Sequence, residues 1–121
     1  MQGERNSLSE RLLDFAADII KLIVQLNKTV VGRHIGQQLT RSGTSAGANY
    51  EEACGAESRA DFIHKLQIVL KELRESLYWL YLIKKTTLIV EADSNISILL
   101  QEAKELTNII AKSIVTAKKR K

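Results

Sequence analysis

The stretch Gly43-Thr44-Ser45-Ala46-Gly47 spells G-x-S-x-G, the pattern in which a serine on a sharp strand-to-helix turn becomes a nucleophile. That chemistry also needs an acid and a histidine downstream to take the serine proton. The surrounding residues do not meet these conditions: no strand pattern precedes Ser45, its neighbours are small residues at helical spacing, and His64 is the only histidine after it. A di-metal carboxylate centre is the second chemistry a helical chain could host, built from Glu-x-x-His on two helices and a glutamate from each of two others. The chain contains no Glu-x-x-His; Asp61 to His64 has the spacing with a shorter acid, and Glu72 with Glu75 lacks a histidine. The expectation is a protein that is not an enzyme, with no catalytic residue, metal ligand, cofactor or small-molecule substrate.

Two other groups of residues remain. Ser45 and Asn49 fall on or beside the inward face of a predicted helix, and a buried amide without a partner costs on the order of 1–3 kcal/mol. Both are therefore expected to bond a neighbouring helix and fix its register. Arg41, Glu52, Glu72 and Glu75, with Glu51 and Lys71, could form an ion-pair network between that helix and the next. Arg41, Ser45, Asn49, Glu52, Glu72 and Glu75 thus make a candidate structural polar network.

The second group is cationic. The 121 residues carry 18 Lys and Arg against 14 Asp and Glu, a net charge of +4. Residues 112–121 hold Lys112, Lys118, Lys119, Arg120 and Lys121 and no acid, so residues 1–111 are close to neutral. Residues 19–50 are also free of acid and contain Lys21, Lys28, Arg33 and Arg41. Clustered bases neutralise phosphates and release counterions, which makes Arg33, Arg41, Lys118, Lys119, Arg120 and Lys121 the candidate nucleic-acid contacts.

Helices must position these side chains. Proline is absent and aromatic residues are only 5% of the chain, so nothing interrupts the i to i−4 ladder. Four periodic segments with short connections predict an all-α, antiparallel up-down-up-down four-helix bundle in one domain, with helices near 8–26, 30–54, 58–86 and 94–117 and a basic tail at 118–121. Ser7 to Glu10 and Ser58 to Asp61 read as capping boxes, Thr29 as a cap, Asp93-Ser94 as a helix start and Gly55 as a left-handed stop. The first helix turns Leu12, Ala16, Ile19, Ile23 and Leu26 inward, widened by Leu13 and Ile20, and the fourth Leu99, Ala103, Leu106, Ile110 and Ala117.

The second helix is unusual. Between Thr40 and Asp61 there is no Leu, Ile, Val, Met or Phe, and the inward line Ile35, Leu39, Ser42, Ala46, Asn49, Ala53 turns small and polar. Gly32, Gly36, Gly43 and Gly47 run beside it. Each glycine costs about 1 kcal/mol relative to alanine, so a close neighbour is expected. It is either the bulky third helix, with Phe62, Leu66, Val69, Leu73, Leu77 and Leu80, or another subunit.

Cys54 is the single cysteine, no basic-then-apolar secretion signal opens the sequence, and the apolar runs are too short to span a bilayer. A cytoplasmic protein without membrane association is expected.

Residues 37–80, QQLTRSGTSAGANYEEACGAESRADFIHKLQIVLKELRESLYWL, place Arg41-Ser42, Ser45, Ala48-Asn49 and Glu52 on one helix. Ser58, Phe62, Lys71-Glu72 and Glu75 follow on the next. In this pattern the chain resembles the four-helix bundle proteins named for the intervening sequences in bacterial 23S rRNA genes. The resemblance implies a homopentamer without known catalytic activity. It also implies a relationship to the accessory variability determinant protein of diversity-generating retroelements, which works with a reverse transcriptase and nucleic acid. Residues and resemblance together lead to a non-enzymatic, ring-forming bundle that binds nucleic acid or a ribonucleoprotein partner. A protein-only interaction scaffold is the alternative.

Overall fold

The computed structural model describes residues 7–90 and 95–120. Four helices follow one another: α1 (Ser7–Val24), α2 (Val30–Cys54), α3 (Arg59–Thr86) and α4 (Ile96–Lys119). Each packs on its neighbour in sequence, and α1 closes the ring against α4. The pairings run antiparallel: Gly36 lies by Ile23 and Gly47 by Leu12 between α1 and α2, Arg41 meets Glu72 while Glu52 meets Lys65 between α2 and α3, and Lys84 meets Ser97 between α3 and α4. This is the expected all-α four-helix bundle.

The helix starts follow the local chemistry. Thr29 Oγ1 accepts from the Gly32 N–H at 2.9 Å and Ser58 Oγ from the Asp61 N–H at 3.0 Å, each satisfying an otherwise orphan donor. Ser7 is already helical, so the cap of α1 falls outside the described residues, as does the Asp93-Ser94 start expected for α4. Gly55 ends α2 as expected but not in a left-handed conformation. Its φ is −96° and its N–H turns back to the Glu51 and Glu52 carbonyls. The left-handed stop belongs instead to Thr87, with φ 50° and ψ 37°, after α3. A β-branched residue there costs roughly 1–2 kcal/mol, which the bonds from Thr87 N–H to Lys84 O and Leu88 N–H to Ile83 O help to offset.

The inward line of α1 differs from the one its spacing suggested. Leu12, Ile19 and Leu26 are buried as expected, but Phe15 and Leu22 take the places between them, while Ala16 and Ile23 lie at the boundary. The helix sits between α2 and α4, so its buried stripe must serve both neighbours and rotates away from the line chosen by counting alone. Leu13 and Ile20 are left 50% exposed.

The glycines of α2 are matched by α1, not by α3. A Cβ at Gly43 would overlap Ile19 Cδ1, one at Gly36 would come to 3.0 Å from Ile23 Cγ2, and one at Gly47 to an ordinary 3.5 Å from Leu12 Cβ. At Gly32 the obstacle is the carbonyl oxygen of Leu26, backbone that cannot swing aside. On its other flank α2 meets α3 through a buried hydroxyl pair, Ser76 Oγ donating to Ser42 Oγ at 2.9 Å. The seam between α1 and α4 is drawn together at its edge by Arg11, whose Nε and Nη2 donate to Glu102 at 2.9 and 2.6 Å and whose Nη2 also reaches Glu105 at 3.0 Å.

These contacts separate the glycines by their tolerance. Gly32→Ala is expected to lower stability by about 1–3 kcal/mol, because the α1–α2 turn must shift. Gly47→Ala has room for its methyl and should raise stability by up to about 1 kcal/mol through helix propensity. Urea unfolding midpoints of the two variants check this, and the reverse order would mean that the Leu26 carbonyl does not crowd Gly32 and that Leu12 leaves no room at Gly47.

Candidate functional site

Many charged side chains of the bundle are spent on each other. Arg41 Nη1 donates to Glu72 Oε1 at 3.1 Å and its Nη2 pairs with Glu75 Oε2, which also accepts from Trp79 Nε1 at 3.0 Å. The Arg41 and Trp79 donors hold the Glu75 carboxyl below its ordinary range, and Glu75 and Glu72 push the guanidinium up. Glu72 is buried. Drawing Arg41 away to a phosphate would strand that carboxylate in the protein interior, which is costly. Arg41 thus ties α2 to α3.

The other members of the predicted polar network do not join it. Asn49 Nδ2 donates to Ser45 O at 2.9 Å and Ser45 Oγ at 3.0 Å, so the amide is satisfied inside α2 and does not reach a neighbouring helix. Glu52 pairs with Lys65 Nζ at 2.6 Å. Residues 41 and 52 stand eleven positions apart on α2, about 16 Å along the helix, so Arg41 and Glu52 meet different levels of α3. Ser45, the serine of the G-x-S-x-G pattern, lies within an unbroken helix. Sequence reasoning missed Ser76, Lys65 and Trp79; of these only the i, i+4 spacing of Glu75 and Trp79 gave a signal.

The remaining cations separate by position. Arg33 is exposed near the start of α2, its Nη1 3.4 Å from Asn27 O, beside a shallow cleft of about 370 Å³ shared with Arg41. Lys118, Lys119 and Arg120 are exposed at the end of α4, while Lys121 lies outside the described residues. In the antiparallel bundle these are opposite ends, about 30 Å apart at 1.5 Å per residue along α2. The candidates therefore do not form one surface.

What the fold adds is at the α4 end. A cleft of about 730 Å³ opens where the end of α2, the start of α3 and the end of α4 converge. Ala53, Cys54, Ala56, Phe62, Ile109 and Ala117 supply its apolar lining, and Ser58, Ser113 and Thr116 its hydroxyls. Arg59, Lys112 and Arg120 bring three positive charges, and among the described residues no carboxylate lines it. Arg59 is the first residue of α3, at the positive end of the helix dipole, which adds to the attraction for an anion. Arg59 and Phe62 were not legible as partners of the tail, because only the α3–α4 pairing brings them beside it. Acids gather elsewhere: Asp14, Asp18 and Glu102 line a groove between α1 and α4.

A third feature is apolar. Leu12, Leu13, Ala16, Ala17 and Ile20 of α1, with Gly47 and Ala48 of α2, line a groove of about 450 Å³ along the side of the bundle. Among the described residues no three His, Cys, Asp or Glu side chains are grouped to hold a metal ion, and no helix is long and apolar enough to cross a membrane.

Comparison with known proteins places this architecture. No curated protein sequence matches the chain. A solved structure from Bacteroides thetaiotaomicron, described as a protein with unknown function from the S23 ribosomal protein family, is 36% identical. It superposes with a TM-score of 0.78 over 88% of this chain and 97% of its own. The family model of the 23S rRNA-intervening sequence protein matches residues 4–112, a span that takes in α1, α2, α3 and most of α4. The chain belongs to the 23S rRNA-intervening sequence protein family.

Proposed function

We propose that the protein is a non-enzymatic, cytoplasmic, ring-forming bundle, pentameric as its family resemblance implies, that binds nucleic acid or a ribonucleoprotein partner through its basic end. The observation that carries this reading is the convergence of Arg59, Lys112 and Arg120 on a cleft that, among the described residues, no carboxylate lines, with Lys118 and Lys119 exposed on the same end of α4. The family name and the ribosomal description of the solved relative support an RNA-containing partner. Arg33 is a separate, weaker candidate at the far end, and Arg41 is a structural residue.

Assembly is supported by the groove between α1 and α2. Leu13 and Ile20 are 50% exposed and Val24 is 70% exposed on a helix whose other large apolar side chains are buried or at the boundary. Apolar surface left on a stripe of this kind gains from a second copy at about 25 cal/mol per Å² removed from water. Ile20→Lys is expected to lower the mass seen by light scattering while leaving helix content unchanged; an unchanged mass would reject this groove as the subunit contact.

The binding test is a titration with a short RNA at several salt concentrations. Three to five phosphate contacts predict a log–log slope of about −2 to −4 for a single strand. A chain ending at Ala117 should bind more weakly and with a shallower slope. Arg41→Gln should leave binding unchanged but lower stability. Absence of salt-dependent binding by the full chain would favour the protein-only scaffold, which the apolar groove alone could serve.

A further inference from the structure

The cleft at the basic end differs from a plain phosphate-binding patch in having an aromatic ring in its lining. Phe62, on the first turn of α3, is half-buried against the core, and Arg59, Lys112 and Arg120 line the cleft with it. We propose that this cleft seats an unpaired base of a single-stranded nucleic acid against Phe62, with Arg59, Lys112 and Arg120 holding the flanking phosphates. The inference rests on the reading of the basic end as a nucleic-acid interface and specifies what that interface selects.

Three observations lead to it. The space, about 730 Å³, lies in the range of sites that enclose a small organic group, larger than an inorganic anion needs. Its lining joins cations to an apolar interior, whereas a surface that read only backbone charge would gain nothing from the second. Lys112 lies on α4 and Arg120 is the residue that follows its last turn, eight positions on and about 12 Å along the helix axis, so the two can engage phosphates on either side of a nucleotide lying in the cleft. A base inside a duplex keeps both faces stacked on its neighbours, so a recessed ring can be met only by a base that is unpaired or extruded. The Thr116 hydroxyl, and Ser113 Oγ as an acceptor while it donates to Ile109 O at 2.9 Å, offer bonds to a base edge without demanding one sequence.

The test compares a ten-nucleotide oligothymidylate with a ten-unit abasic strand, which keeps the phosphates and lacks the bases. The full chain is expected to bind the thymidylate more tightly. Phe62→Leu, which keeps apolar volume but removes the stacking face, should weaken thymidylate binding roughly 5- to 100-fold and leave abasic binding unchanged. Arg59→Gln with Lys112→Gln should weaken both strands. Since Cys54 lines the cleft and is the only thiol, thymidylate should also slow its alkylation in the unaltered chain, a measurement that needs no variant to fold.

Equal affinity for the two strands, an unprotected Cys54, or displacement of thymidylate by an equimolar ten-residue oligoglutamate would overturn the base-seating proposal. In each of those cases salt-dependent binding at the basic end would still stand. Failure of the full chain to bind either strand at low salt would overturn the nucleic-acid reading and this inference with it.

Discussion

The bundle depends on how closely α1 can lie on the backbone of α2. Gly36 and Gly43 present no side chain to Ile23 and Ile19, and the gap left where their Cβ atoms would stand is filled by those α1 side chains. The cost in helix propensity, about 1 kcal/mol per glycine, is offset by packing that a thicker helix would exclude. With one flank given to α1, α2 can meet α3 on the other through side chains as small as Ser42 and Ala46. A helix whose second half lacks large aliphatic side chains is thereby enclosed between two that are rich in them. Its position is fixed by fit and by the Ser42–Ser76 and Arg41–Glu72 bonds more than by apolar bulk.

This arrangement has a consequence for the surface. Because α1 turns Leu12, Phe15, Ile19 and Leu22 to the interior, Leu13 and Ile20 are carried to the outside beside Ala17. The exposed apolar groove is a by-product of the α1 rotation that the α2 and α4 contacts impose. The same rotation places Arg11 against Glu102 and Glu105, so an α1 cation is consumed at the α4 seam. Arg41 and Lys65 are likewise paired, so these three cations are committed to tying neighbouring helices together.

Much of the fold was legible in the sequence because helix caps and apolar periodicity are local. Thr29 and Ser58 cap α2 and α3 as expected, and α2 runs over the predicted 30–54. The absence of large apolar residues between Thr40 and Asp61 correctly signalled a close neighbour. Which neighbour it was could not be read, because Ile19 and Leu73 are equally good partners for a glycine until the bundle's geometry chooses. Asn49 was misjudged for a related reason. Periodicity put it on the inward line, but α2 turns so that its amide reaches back one turn to Ser45. The site was less legible than the fold. The tail announced its charge, whereas Arg59 and Phe62 acquire significance only from standing across α4 from it.

The side groove and the end cleft share no lining residue, which bears on how a chain whose first 111 residues are close to neutral could hold a polyanion. Association through the α1–α2 side would leave the ends of α3 and α4 open, and a cyclic arrangement would turn every copy of the basic end toward the same face. A single cleft with three cations and one ring is a weak site on its own. Several of them at fixed separation convert each further contact into an intramolecular event, and linked weak sites reach avidities 10²–10⁴ above one site without any new contact. In such a ring the affinity would come from repetition, so the body of each subunit need not be basic. A strongly basic body would instead oppose its own assembly by like-charge repulsion across the α1–α2 contact.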